Sequence, residues 1–228
     1  MWTARVFTLY PELFPGPLGT GLCKKALEKK LWSLEIVNIR YYSNDKHKSV
    51  DDTPFGGGSG MLMKADVIAN SLDKNIINKN EPIIYLSPKG KIFNQNYAKK
   101  IMDKNINIIC GHFEGVDQRL LETRNIEEVS VGDYILSGGE IGALLVIDTI
   151  VRLIPGVVGN PKSLEEETFE SNLLEYPQYT KPQKWEKKNV PEVLLSGDHA
   201  KIKDWRLAQS EDITRRQRPD LWKKYKKK

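Results

Sequence analysis

The chain has 228 residues, 39% hydrophobic and 29% charged, with a formal net charge of +5. That length suits one large domain, or a domain with a smaller companion, and it is enough to bury a real core. No apolar run nears the roughly 20 residues that span a bilayer, and the opening MWTARVFTLYPELF lacks the long apolar stretch of a signal peptide. The expected location is therefore cytoplasmic, with no membrane association.

In chain order, VFTLY (6–10) is rich in β-forming residues. LGTGLCKKALEKKLW (18–32) carries a helical stripe at Leu22, Ala26, Leu27 and Leu31. SLEIVNIRYY (33–42) alternates like a strand, and the polar stretch SNDKHKSVDDTPFGGGSG follows. ADVIANSLDK reads as helix, PIIYLSP (82–88) as a buried strand, and NQNYAKKIMDKN as helix again. INIICG (106–111) predicts a second buried strand, VDQRLLETR a helix, and EEVSVGDYILS a return to strand that includes Tyr134, Ile135 and Leu136. An apolar run, 141–154, comes directly after Ser137-Gly138-Gly139. Two adjacent glycines let a backbone turn sharply or approach another group closely. From about 159 the alternation breaks at GNPKSLEEETFES, which reads as an acidic linker. Beyond Pro191 the pattern is helical to the end, with an N-cap at Ser196 or Asp198.

Strands alternating with helices of about ten residues imply crossover connections and a mainly parallel sheet. Three strands end in Gly-containing loops: LSPKG, GHFEG and SGG. In parallel α/β sheets a ligand sits outside the carboxyl ends of the strands, so the three loops point to one composite pocket. There is no GxxxxGK[ST], no GxGxxG after a strand, no GxSxG and no HExxH. A ligand without a pyrophosphate fits that pattern, and S-adenosylmethionine is one. Cys23 and Cys110 form no CxxC pair and read as buried thiols. His47, His112 and His199 are too scattered to suggest a relay or a metal cluster.

The charge is uneven. Residues 1–160 carry 19 Lys/Arg against 18 Asp/Glu, and residues 161–228 carry 16 against 12. The end, RRQRPDLWKKYKKK, holds eight basic residues and one acid. Such a tail suits nucleic acid or another anionic surface, and equally a solvated terminus.

IIYLSPKG, ICGHFEGVDQR, SVGDYILSGGE, VRLIPGVVG, LLEYPQYTKP and PEVLLSGDHAKI occur in that order. Together they closely resemble the bacterial tRNA (guanine-N1)-methyltransferase family, from near VFTLYPELF to about residue 218. The resemblance implies an α/β fold of the SPOUT class, a mainly parallel sheet whose C-terminal part is tied in a deep trefoil knot. Such a knot is one of the few exceptions to the rule against threaded chains. It implies a knotted methyltransferase domain over 1–159, a linker over 160–166 and a small all-helical tRNA-binding domain over 167–228. It further implies a homodimer with its active site between subunits, S-adenosylmethionine as methyl donor, and methylation of N1 of guanosine 37 in tRNA.

By the same likeness, Leu86, Ser87, Pro88, Gly111, Val131, Gly132, Asp133, Tyr134, Ile135, Leu136, Gly138 and Gly139 hold the methyl donor. Arg152, in VRLIPG, matches the family's arginine at guanine O6. The family's Asp-Ser-Phe is here Glu167-Thr168-Phe169, so Glu167 is the expected base, with Glu166 the second choice. Candidate tRNA contacts are Lys201, Arg215, Arg216 and Arg218. The family's Arg-Tyr in the second strand-end loop is His112-Phe113, which keeps an aromatic surface and loses a permanent charge. Asn172 and Lys181 also depart from the family pattern. The resemblance also implies that activity can depend on magnesium, and the sequence offers no obvious protein cage for the ion. Two other classes stay open on the residues: a knotted methyltransferase acting on another RNA atom, and a non-enzymatic RNA-binding protein on the same scaffold. The LEYPQYTKP…GDHAKI segment counts against the former, and Arg152 with Glu167 against the latter.

Overall fold

The computed structural model describes residues 1–159, 168–169 and 171–227. The chain divides into two compact units, Met1–Gly159 and Asn160–Lys228. In the first, five strands form one sheet: β1 (Trp2–Thr8), β2 (Trp32–Asn38), β5 (Ile83–Ile92), β6 (Ile106–Ile109) and β7 (Glu127–Ser130). Their order is β2-β1-β6-β5-β7, and every neighbouring pair is parallel. Two-residue strands β3 (Asp51–Asp52) and β4 (Leu62–Met63) pair separately. The helices are α1 (Gly21–Glu28), α2 (Ala65–Asn75), α3 (Gln95–Ile101), α4 (Gln118–Thr123) and α5 (Glu140–Val151).

Register explains the two-sided burial. Phe7 pairs with Ile109, and Ile109 with Tyr85, so these side chains share one face. They join a core with Val67, Ile68 and Leu72 of α2 and Leu120 and Leu121 of α4. Val6, Ile108 and Ile84 pair one residue earlier and point to the other face. There α5 packs on β1, beside α1 and α3. Each fully buried Leu, Ile or Val contributes about 1.5–3 kcal/mol, which makes these two layers the stable platform for the loops.

Strand β5 is interrupted where it matters. Both Leu86 and Lys91 pair with Val129 of β7, so residues 87–90 bulge out of the ladder. Pro88 has no N–H to give to a ladder. At Gly90 a Cβ would stand 2.3 Å from the Glu128 carbonyl carbon and the Val129 nitrogen, so only glycine lets the bulge close.

The sequence predicts a strand through Tyr134–Leu136; the structure ends β7 at Ser130. The Ser130 hydroxyl accepts the Gly132 N–H and donates to the Gly132 carbonyl, folding the chain off the ladder. Tyr134, Ile135 and Leu136 therefore lie in an exposed loop, Ile135 at 82%. Leu22 is likewise exposed, and Cys23 with Ala26 makes the buried face of α1.

The second unit contains α6 (His199–Gln217), α7 (Pro219–Tyr225) and a 3-10 turn, Glu192–Leu195. It is not all-helical among its described residues. Strands β8 (Lys184–Trp185) and β9 (Lys188–Asn189) form a hairpin, with Glu186 at φ +53 in the turn. Its strands are exposed on both faces, so no apolar alternation betrays it in the sequence. Asp198 caps α6 by accepting the Lys201 N–H at 3.1 Å, as the sequence suggested. The buried Thr214 hydroxyl donates to Ser210 and accepts the Leu174 N–H, tying the Leu173–Leu174 segment to α6. The expected linker, 160–166, lies outside the described residues.

Candidate active site

A cleft of about 380 Å³ opens at the carboxyl ends of β5, β6 and β7. Three segments wall it: the β5 bulge, the Gly111–Val116 loop after β6, and the loop after β7. Leu86, Ser87 and Pro88 line it from the first and Gly111 from the second. Val131, Gly132, Tyr134, Ile135, Leu136, Gly138 and Gly139 line it from the third. Asp133 belongs to the same loop and does not line the cleft. Glu114, Gln118 and Glu128 add a polar wall that the motifs do not predict.

Gly138 and Gly139 permit close approach, not an unusual turn. Gly139 has helical dihedrals, φ −77 and ψ −11, open to any residue. A Cβ there would sit 2.7 Å from Cys110 Cα, and its own N–H donates to the Gly111 carbonyl at 3.0 Å. At Gly138 a Cβ would sit 2.2 Å from the His112 ring. The loop after β7 thus lies directly on the end of β6, and the two form one wall. GGGSG behaves differently along its length. Gly56, Gly57 and Gly58 have positive φ with open space around them, whereas Gly60 lies against the Glu114 side chain.

Beneath the wall is a polar trio, Thr8 and Glu140 buried and His112 partly so, that the motifs do not predict. Glu140, the first residue of α5, is 2% exposed. Its carboxylate accepts the Thr8 hydroxyl at 2.6 Å and faces His112 Nε2 at 2.8 and 2.9 Å. An ionised carboxylate only accepts, so it pairs with the imidazole tautomer that carries its proton on Nε2. The helix N-terminus also favours the negative charge. This trio pins β1, the β6 loop and α5 together under the cleft. The available signal was the Glu that completes SGGE. Burial, with the Glu140 charge, pushes the Cys110 thiol well above its ordinary value, so it stays neutral.

Of the expected catalytic groups, Arg152 does not line this cleft. Arg152 caps the far end of α5, twelve residues from Glu140, or about 18 Å along the axis at 1.5 Å per residue. Glu167 and Glu166 lie outside the described residues. Lys201 stands near the start of α6 and Arg215 and Arg216 near its end, about 21 Å apart by the same rise, so they do not form one patch. Lys201 pairs with Asp198, Arg215 and Arg216 with Asp212, and Arg218 with Asp220. Exposed pairs of this kind are worth little and exchange readily for phosphate. Arg218 also lies 5.9 Å over the Phe169 ring.

Among the described residues, no group of three His, Cys, Asp or Glu is placed to hold a metal ion, and no helix is long and apolar enough to cross a membrane.

Residues 1–224 match the family model described as tRNA (guanine-1)-methyltransferase TrmD. The chain is 65% identical to a tRNA (guanine-N(1)-)-methyltransferase of Pelagibacter ubique, over the full length of both. It is 54% identical to one from Bartonella tribocorum, covering 98% of this chain and 96% of the relative. With one from Brucella canis the identity is 52%, covering 97% and 91%.

Proposed function

The chain belongs to the tRNA (guanine-1)-methyltransferase family, and we propose that it methylates N1 of guanosine 37 in tRNA with S-adenosylmethionine as donor. The observation that carries this reading is the glycine-built cleft at the carboxyl edge of the sheet. It fits the donor on two counts: its volume lies in the range of small-molecule sites, and Leu86, Ile135 and Leu136 supply apolar walls; Gly138 and Gly139 let the loops that build it pack directly on each other. When bound, S-adenosylmethionine supplies an electrophilic methyl group on a positively charged sulfur.

The chain's own residues do the rest. Neutral guanine carries a proton on N1, and that nitrogen attacks poorly until the proton leaves. Glu167 is the proposed base, and its ordinary carboxylate range lies slightly above that of the family's Asp. Negative charge then develops toward O6, where the permanent charge and forked donors of Arg152 are the proposed stabiliser. The trefoil knot, carried over from the family, would hold the three cleft loops in register.

A homodimer is part of the same proposal. Arg152 is separated from the cleft along α5, so one chain does not supply both. Ile141 and Leu145, one turn apart on α5, are 59% and 42% exposed, and Ile135 projects from the adjoining loop. A second copy covering this apolar face would bury it and could bring an Arg152 to the cleft of its partner. Sedimentation equilibrium tests this: a dimer for the native chain and a monomer for Leu145→Lys are expected, and a monomeric, active native enzyme would refute it.

The activity is tested by methyl transfer from labelled S-adenosylmethionine to unmodified tRNA with G36-G37, followed by nucleoside analysis. The expected product is 1-methylguanosine, absent when G37 is replaced. Glu167→Gln and Arg152→Ala should abolish transfer and keep tRNA binding. Undiminished methylation by both variants would sink the residue assignment.

A further inference from the structure

The second unit carries its own cleft, of about 580 Å³, between the Tyr176–Gln183 segment and α6. Three aromatic rings, Tyr176, Tyr179 and Trp205, open into it. The Tyr179 and Trp205 centroids are 6.3 Å apart with planes tilted by 53°. The Arg206 guanidinium lies 4.7 Å over the Tyr176 ring. Leu194 and Ile202 make an apolar floor, Lys181 adds a second cation, and no carboxylate lines the cleft among the described residues.

A thin core offers the ordinary explanation for such rings, but the exposures argue against it here. Within this unit Leu173 and Leu221 are the buried apolar side chains among the described residues, whereas Tyr179 remains 49% exposed. An aromatic surface left half open, rimmed by permanent cations and free of acids, suits a flat, electron-rich group attached to an anion. That is the chemistry of an unpaired nucleotide: the base stacks on a ring or a guanidinium, and its phosphate meets the cations.

We propose that this cleft is a stacking site for an unpaired nucleobase of the RNA substrate, with Tyr179 and Trp205 as the platform and Arg206 and Lys181 as the phosphate contacts. The inference depends on the proposed function only for the class of ligand, RNA. Neither cation was singled out by the sequence as an RNA contact. Both occupy the cleft, whereas the arginines near the end of α6 do not.

The test uses the full chain and fluorescein-labelled hexauridylate, titrated by anisotropy at fixed salt. Tyr179→Leu keeps the apolar bulk and removes the π face, and it should weaken binding at least about fivefold; Tyr179→Phe should stay within about twofold. Arg206→Gln should weaken binding and flatten its salt dependence. A hexamer carrying 5-iodouridine should, on irradiation, crosslink to the peptide containing Tyr179 or Trp205. The circular dichroism spectrum and thermal midpoint should be unchanged in all three variants, which separates loss of the site from loss of the fold. Equal hexauridylate affinity in the Leu and Phe variants, or crosslinks confined to other peptides, would overturn the proposal. Crosslinking at Tyr179 in a chain that forms no 1-methylguanosine would refute the proposed function and leave the stacking site standing.

Discussion

Gly139→Ala separates two reasons for a glycine that sequence cannot tell apart. If Gly139 were there for its conformation, the change would be harmless: φ −77 and ψ −11 suit alanine, and losing unfolded-state freedom would stabilise the fold by about 0.4–1 kcal/mol. The geometry demands the opposite. The added methyl would meet Cys110 Cα at 2.7 Å, the Gly111 nitrogen at 3.0 Å and Cys110 Cβ at 3.1 Å. Two of the three are backbone of β6 and its exit, held by the Gly139–Gly111 hydrogen bond, and cannot swing aside as a side-chain tip can. Relieving such an overlap costs about 1–3 kcal/mol. With a urea slope of about 1–3 kcal/mol per molar, the unfolding midpoint should fall by several tenths of a molar or more. Because the displaced segments are two walls of the cleft, affinity for S-adenosylmethionine should drop in parallel. Gly159→Ala is the control: a Cβ there meets nothing within 4 Å, and its midpoint should not move. An unchanged midpoint and unchanged donor affinity in Gly139→Ala would refute the close-approach argument.

Thr8→Val removes the hydroxyl that donates to buried Glu140 at 2.6 Å. A hydrogen bond to a charged group contributes about 1.5–3 kcal/mol, so urea titration should show a loss of that order, and a loss under 0.5 kcal/mol would mean Glu140 is satisfied without it. Burial, with the hydrogen bond to Asp148, raises the Cys23 thiol to about 12. Ellman's reagent should therefore leave Cys23 unmodified in the native protein at pH 8 and react on unfolding. A thiol raised in the fold stabilises below its unfolded value and loses that contribution as pH climbs towards 12, so Cys23→Ala should lessen the alkaline fall in stability. The Arg218 guanidinium holds the Asp220 carboxyl down to about 2 from 3.8. A depressed carboxylate stabilises above its unfolded value, and that contribution fades between about pH 4 and 2. The pair is largely solvent-exposed, with side chains at 42% and 55%, so Asp220→Asn should lower the thermal midpoint only slightly at pH 6, and not at all near pH 2.

Much of the architecture was legible because it rests on local periodicity. The run INII could only be a strand buried on both faces, and ADVIANSLDKN could only be a helix with one apolar side; β6 and α2 follow. YILS misled for the same reason: its β-forming residues read as strand, but the Ser130–Gly132 turn and the absence of a partner beyond Ser130 turn them out as a cleft wall. The hairpin at 184–189 has no apolar alternation and leaves no trace in the pattern. Of the expected donor contacts, Asp133 shares the Val131–Leu136 stretch of the family likeness but does not line the cleft.

The sequence by itself determined the family, the alternating α/β order and the three strand ends where a ligand belongs, because these are carried by unbroken motifs and by spacing along the chain. Only the tertiary structure decided that Gly138 and Gly139 are required by contact with the segment that follows β6, that His112, Glu140 and Thr8 form one polar trio, and that Arg152 stands apart from the cleft along α5. The physical reason is common to all three. Each depends on a distance between residues far apart in the chain, or on the length of a helix between two of them, and no residue type encodes what will lie within 3 Å of it.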